Sequence, residues 1–152
     1  MKFDPAVTLS FLGLAALAGC APAGAYKTRA DLVTDPAACG ERRFEVYFDQ
    51  DQARLTEPAR QAIDLAAAQL QGCRIERVKV LGLADARSGT PAANQTISER
   101  RARAVAEALA GAGLPAPAFE VEGAGAQGAV VGGVNDPLRR RTEVLIQAVA
   151  PR

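Results

Sequence analysis

The stretch VKVLGLADARSGTPAANQTISERRARAV, residues 78–105, carries both kinds of regular structure in one pass. Val78, Val80, Leu81 and Leu83, with Ile75 ahead of them, form a short, strongly apolar segment of the kind a central strand shows, and Asp85 sits at its carboxyl end. A loop with Ser88 and Gly89 follows. Thr90 then offers an N-cap hydroxyl and Pro91 the preset φ of a first helical turn. A helix is expected to run on through Leu109 until Gly111 and Gly113 end it. Asn94, Ile97, Arg101, Val105 and Ala108 are spaced by three or four, so they share one face of that helix. An arginine thus interrupts an apolar stripe. A buried guanidinium is costly unless it is paired, so Arg101 either snorkels to the edge or meets an anion. Asp85 is the nearest anion by topology. From periodicity alone, a plain Asp85 to Arg101 salt bridge and a ligand site both stay open.

Upstream, Phe44, Val46 and Phe48 alternate with Glu45 and Tyr47 in a strand pattern that ends in the polar run Asp49, Gln50, Asp51, Gln52. Thr56, Glu57 and Pro58 open a helix whose Ala59, Ile63, Ala66 and Leu70 fall on one face until Gly72. Downstream, Phe119 and Val121 mark a third strand, a glycine-rich loop runs to Pro137, and Thr142 to Val149 form a last strand. The order β-α-β-α-β-β predicts an α+β fold, a two-layer sandwich of a mixed sheet with helices packed on one face.

With 152 residues, 49% of them hydrophobic, the chain suffices for one domain with a real core but hardly for two. Eighteen Lys and Arg against 17 Asp and Glu leave no surplus positive charge for a phosphate backbone, so nucleic acid is not an expected partner. The absence of histidine excludes histidine-dependent hydrolases and most zinc enzymes. Ser98 has no base to activate it, and no nucleophile, base or metal cluster stands out, so neither an enzyme nor a cofactor is expected. Gly123, Gly125 and Gly128 spell Gly-x-Gly-x-x-Gly, but Gly132, Gly133, Asn135 and Pro137 follow where a dinucleotide site needs a helix. Arg139, Arg140 and Arg141 read as solvation or local ion pairs, and Asp49 with Asp51 lacks the dense oxygen spacing of a calcium loop.

Lys2 precedes an apolar run from Ala6 to Leu17, too short to span a membrane, as in a secretory signal peptide over residues 1–19. Leu17, Ala18, Gly19 and Cys20 resemble the lipobox of bacterial lipoproteins, which implies cleavage before Cys20 and its acylation. Ala21, where an aspartate would mark inner-membrane retention in such lipoproteins, implies an outer-membrane, periplasm-facing anchor in lipid. Residues 20–38 are small, polar and proline-bearing and read as a flexible tether, with the domain over 39–152. Cys39 and Cys73 form an even pair in a compartment that tolerates disulfides. Chain reversal through a strand and a helix brings them together, so a Cys39 to Cys73 disulfide is expected, two buried free thiols being the alternative.

Val46 to Asp49 with Asp51 and Leu55, Gly82 with Asp85, Thr90, Pro91, Asn94, Ile97, Ser98 to Ala102, Val105, Gly123 with Gly125, and Arg140, Arg141 and Glu143 occur in the order and element placement of one known family. The chain resembles the OmpA-like domain family, close to its form in peptidoglycan-associated lipoproteins, over nearly all of Phe44 to Ile146. The resemblance implies peptidoglycan as partner, through a pocket for the diaminopimelate of its stem peptides. That residue's free end carries an ammonium and a carboxylate on one carbon. Asp85 would accept from the ammonium and Arg101 would grip the carboxylate with two parallel bonds. Asp51 would join Asp85, Asn94 would orient loop or ligand, Ile97 would pack beneath, and Arg87 and Thr90 would border the pocket. Departures are Leu83 and Ala84 ahead of the aspartate, a longer loop from Asp85 to Thr90, Arg139 for an asparagine and Thr142 for a valine. The competing expectation is an envelope scaffold with a degenerate pocket that mainly docks a periplasmic protein such as a Tol-system partner.

Overall fold

The computed structural model describes residues 39–87 and 89–151. The expected signal peptide over 1–19, Cys20, the expected tether over 20–38 and Ser88 lie outside the described residues. The elements are β1 (Arg42–Tyr47), α1 (Glu57–Gln69), β2 (Arg74–Gly82), α2 (Pro91–Gly111), β3 (Phe119–Gly123), a hairpin of β4 (Val130–Val131) and β5 (Val134–Asn135), and β6 (Arg141–Val149). Four strands form one sheet in the order β1-β6-β2-β3. The last strand inserts between the first two and runs antiparallel to both, while β2 and β3 are parallel, so the sheet is mixed as expected.

Local chemistry accounts for the helix starts. The Thr56 hydroxyl accepts from the Ala59 N–H at 3.3 Å and the Thr90 hydroxyl from the Ala93 N–H at 3.2 Å, each with a proline in the first turn. Both helices cover one face of the sheet. Val46, Val78, Val80, Val144, Ile146 and Ala148 meet Ile63 and Ala67 of α1 and Ala102, Val105 and Leu109 of α2 in one core. Strand β6 alternates without a break, burying Thr142, Val144, Ile146 and Ala148. Among the described residues, no helix is long and apolar enough to cross a membrane.

The inward stripe of α2 departs from the expectation. Asn94, Ser98, Arg101, Ala102, Val105 and Leu109 are its buried residues, while Ile97 and Ala108 are only half-buried. The cause lies in the strands beneath. Gly82 and Gly123 are paired neighbours on β2 and β3. A Cβ at Gly82 would stand 1.9 Å from the Ser98 carbonyl oxygen, and one at Gly123 would stand 2.6 Å from the Glu99 backbone nitrogen. Two missing side chains therefore let the helix backbone settle onto the sheet. The Ser98 hydroxyl donates to the Gln95 carbonyl and accepts from the Gly125 N–H at 2.9 Å, which gives the buried oxygen a structural task.

The glycine-rich loop also differs from its reading as irregular chain, because it folds into the β4–β5 hairpin. Gly132 and Gly133, at φ 60° and 81°, supply the two left-handed residues that a two-residue turn matching strand twist requires.

Cys39 and Cys73 are joined in a disulfide, as expected. The bond links the residues just before β1 and β2, the two strands that flank β6. On the chain-entropy model a closed loop of this length stabilises the fold by about 3–4 kcal/mol. A Cys39→Ala/Cys73→Ala protein should lose that amount in denaturant titration, and the wild type should gain two hydrogens in intact mass on reduction. Gly82→Ala should destabilise by about 3 kcal/mol or more, beyond ordinary overpacking because the clash is with backbone. Gly111→Ala, with open space around the added methyl, should be neutral or stabilising by up to about 1 kcal/mol in the same titration.

Candidate functional site

The expected site residues converge on the end of the sheet where β1, β2 and β3 finish and β6 begins. The strand ladder carries on a little past the formal ends. Phe48 N–H donates to the Arg140 carbonyl, Leu83 N–H to Arg141 and Ala84 N–H to Gly125, at 2.8–2.9 Å. These bonds bring Asp85 into the protein, where its side chain has no solvent exposure.

Arg101 reaches the same place from the third turn of α2 and is also fully buried. Its Nε donates to the Gln52 carbonyl at 2.8 Å, Nη1 to the Leu83 carbonyl at 3.0 Å and Nη2 to the Asp49 carbonyl at 3.1 Å. The Phe48 ring lies against the guanidinium, 5.2 Å from its carbon to the ring centroid. Arg101 therefore neither snorkels out nor forms the simple salt bridge with Asp85. It pins the loop after β1 to the end of β2. Burial pulls its pKa below the ordinary arginine value, Asp85 pulls it back up, Arg140 lowers it and Asp51 raises it, so these charges lie within electrostatic reach of one another.

The ion-pair partner of Asp85 is Arg140, whose Nη1 lies 2.9 Å from Oδ2. Topology alone makes Arg101 the nearest candidate for that place, as one of the two readings the sequence leaves open. Arg140 comes from the residue just ahead of β6, a strand late in the chain that the sheet order threads beside β2. The signal lies in the block Arg140, Arg141, Glu143, whose charges the sequence alone ties to the family resemblance and to local ion pairs rather than to Asp85. Of its neighbours, Arg141 forms local ion pairs with Glu45 at 3.2 Å and Glu143 at 2.7 Å, while Arg139 donates to the Gln127 carbonyl.

The other expected residues divide. Asn94 is 4% exposed, with Nδ2 donating to the Gly89 carbonyl at 3.5 Å and Oδ1 lacking a hydrogen-bond partner among the described residues. Asp51 is exposed in the turn after β1, in left-handed backbone at φ 55°, which aspartate tolerates better than most residues. Thr90 and Arg87 are exposed, and the Thr90 hydroxyl is occupied as the α2 cap. Ile97 is half-buried on α2. Asn135 was not anticipated: its Oδ1 accepts from the Ala86 N–H at 2.7 Å and ties the β4–β5 hairpin to the loop that follows Asp85.

A family model described as the OmpA family matches residues 47–142, from the last residue of β1 to the second residue of β6. Outer membrane protein A of Yersinia pseudotuberculosis is 37% identical over 111 residues, which is 72% of this chain but 31% of that protein, so the chain spans about a third of this relative's length. Among solved structures, the OmpA-like domain of FopA1 from Francisella tularensis matches with a TM-score of 0.61 at 26% identity, over 72% of this chain and 74% of that one. The peptidoglycan-associated lipoprotein from Burkholderia pseudomallei matches with a TM-score of 0.59 at 25% identity, over 68% of this chain and 89% of that one. The matched span takes in the glycine seat of α2, Asp85, Arg101 and Arg140 together, and it makes this chain a member of the OmpA family.

Proposed function

We propose that this protein binds peptidoglycan non-covalently through the diaminopimelate of the stem peptides, at the site built on Asp85 and Arg101, and so links the outer membrane to the cell wall. The observation that carries the reading is a buried carboxylate and a buried guanidinium in one another's field that take their hydrogen bonds from other groups. A free amino-acid end needs that combination, an acceptor for its ammonium beside a forked donor for its carboxylate. Three of the five N–H groups of Arg101 hold carbonyls, leaving one on each terminal nitrogen for a carboxylate. The Asn94 oxygen adds a second acceptor that is buried without a hydrogen-bond partner among the described residues. Exposed Asp51 would join Asp85 on the cationic side, exposed Arg87 and Thr90 would border the pocket, and half-buried Ile97 would pack beneath it. A lysine-type stem lacks the second charged centre and leaves Arg101 unused. Acylated Cys20 supplies the other attachment, in outer-membrane lipid.

A second reading has one observation in its favour: neither Asp85 nor Arg101 has any exposed surface. On that reading the pocket is degenerate, and the protein is an envelope scaffold that docks a periplasmic partner, such as one of the Tol system.

Full-length protein in mild detergent should co-sediment with sacculi of the diaminopimelate type and stay in solution with walls of the lysine type. Asp85→Ala and Arg101→Ala should each abolish co-sedimentation, with circular dichroism checking that the variants are folded. Binding that survives in both folded variants rejects the site, and a wild type that ignores sacculi yet captures one periplasmic protein favours the scaffold. Cys20→Ser should end incorporation of a fatty-acid label and move the protein from the membrane fraction to the soluble one.

A further inference from the structure

This inference rests on the ligand reading of the site just given and concerns how that site is controlled. A fully buried carboxylate needs a cation beside it whether or not ligand is bound. Arg140 meets that need for Asp85 through a single contact, Nη1 to Oδ2. An arginine and a carboxylate at full strength share two parallel bonds, and this pair uses one. The Arg140 Nε is buried without a hydrogen-bond partner among the described residues. Its side chain is 28% exposed, whereas Asp85 and Arg101 are sealed. Arg101 is the opposite case, held by three carbonyls from two loops and by the Phe48 ring. One arginine is a fixture, and the other hangs by one bond at the boundary with water.

We infer that Arg140 is an internal competitor of the ligand, a latch whose guanidinium holds the place on Asp85 that the incoming ammonium must take. Binding is then an exchange of one cation for another. Arg140 swings toward solvent, the ammonium takes over Oδ2, and the ion pair at Asp85 is remade with the new cation. A ligand that brings a carboxylate alone offers Asp85 nothing in exchange and does not release the latch, so the exchange adds selectivity for a zwitterion to whatever Arg101 provides. The latch also lowers apparent affinity by the fraction of time it is open.

The probe is a soluble muropeptide with a meso-diaminopimelate stem, added to the full-length protein in mild detergent. Arginine modification by phenylglyoxal, mapped by peptide mass spectrometry, should rise several-fold at Arg140 when the muropeptide is present, because the side chain has been evicted. This readout uses the wild type and does not depend on how a variant folds. Arg140→Gln, which keeps a polar end group on a shorter side chain and brings no cation, should bind roughly tenfold tighter if the latch is open about a tenth of the time. Arg140→Lys should stay near wild type. Protection or indifference of Arg140 on binding, or unchanged or weaker binding by folded Arg140→Gln, overturns the latch while leaving the ligand site standing. If neither wild type nor Arg140→Gln binds the muropeptide, the site reading fails and the latch with it.

Discussion

A single guanidinium organises the working end of this domain. Arg101 gathers carbonyl oxygens from Asp49, Gln52 and Leu83, so the loop after β1 and the end of β2 are positioned by one side chain on α2. Its energetics are close to balanced. Taking an ion out of water costs several kcal/mol, and three charge-assisted hydrogen bonds return about 1.5–3 kcal/mol each. The residue therefore adds little net stability for its size. What it supplies is geometry: without it, two loops would choose their own conformations, and Asp85, two residues past Leu83, would lose its fixed place.

That side chain arrives where it does because α2 lies unusually low on the sheet. Gly82 and Gly123 remove the two Cβ atoms that would hold the helix off, and Ser98 fills the contact with a hydroxyl bonded on both sides. The close approach rotates the buried stripe toward small residues, Ser98 and Ala102, and leaves Ile97 half-buried. A larger pair of strand residues would lift the helix and with it the depth to which Arg101 can reach. Stability and site geometry are thus joined through two positions that carry no functional group.

Much of this was legible in the residues. Strand alternation located β1, threonine followed by acid or proline located both helix starts, and an arginine on an apolar stripe singled out Arg101. The cysteine pairing followed from compartment and chain reversal. Three things were hidden, each for a physical reason. The rotation of α2 depends on what its facing strands lack, and helical periodicity contains no information about the partner surface. The hairpin has strands of only two residues, too short for an alternating pattern, although its Gly132-Gly133 pair between valines was a usable turn signal. The Asp85 to Arg140 pair joins residues 55 apart in sequence and depends on β6 entering between β1 and β2, which nearest-neighbour topology does not foresee.

The Cys39–Cys73 bond sits at the start of β1 and β2, and the site sits at their far ends, about 30 Å away at strand rise over the nine residues of β2. A pull on the chain ahead of Cys39 would otherwise fall on β1, an edge strand with one neighbour, and peel it from β6 one ladder rung at a time. The covalent bridge diverts that tension into β2, an interior strand gripped on both sides, and sends it along the strand axis toward Leu83 and Asp85. Interstrand hydrogen bonds then bear the load together, in shear rather than in sequence. Tension applied between the two poles of the domain therefore tightens a continuous cord instead of opening a seam.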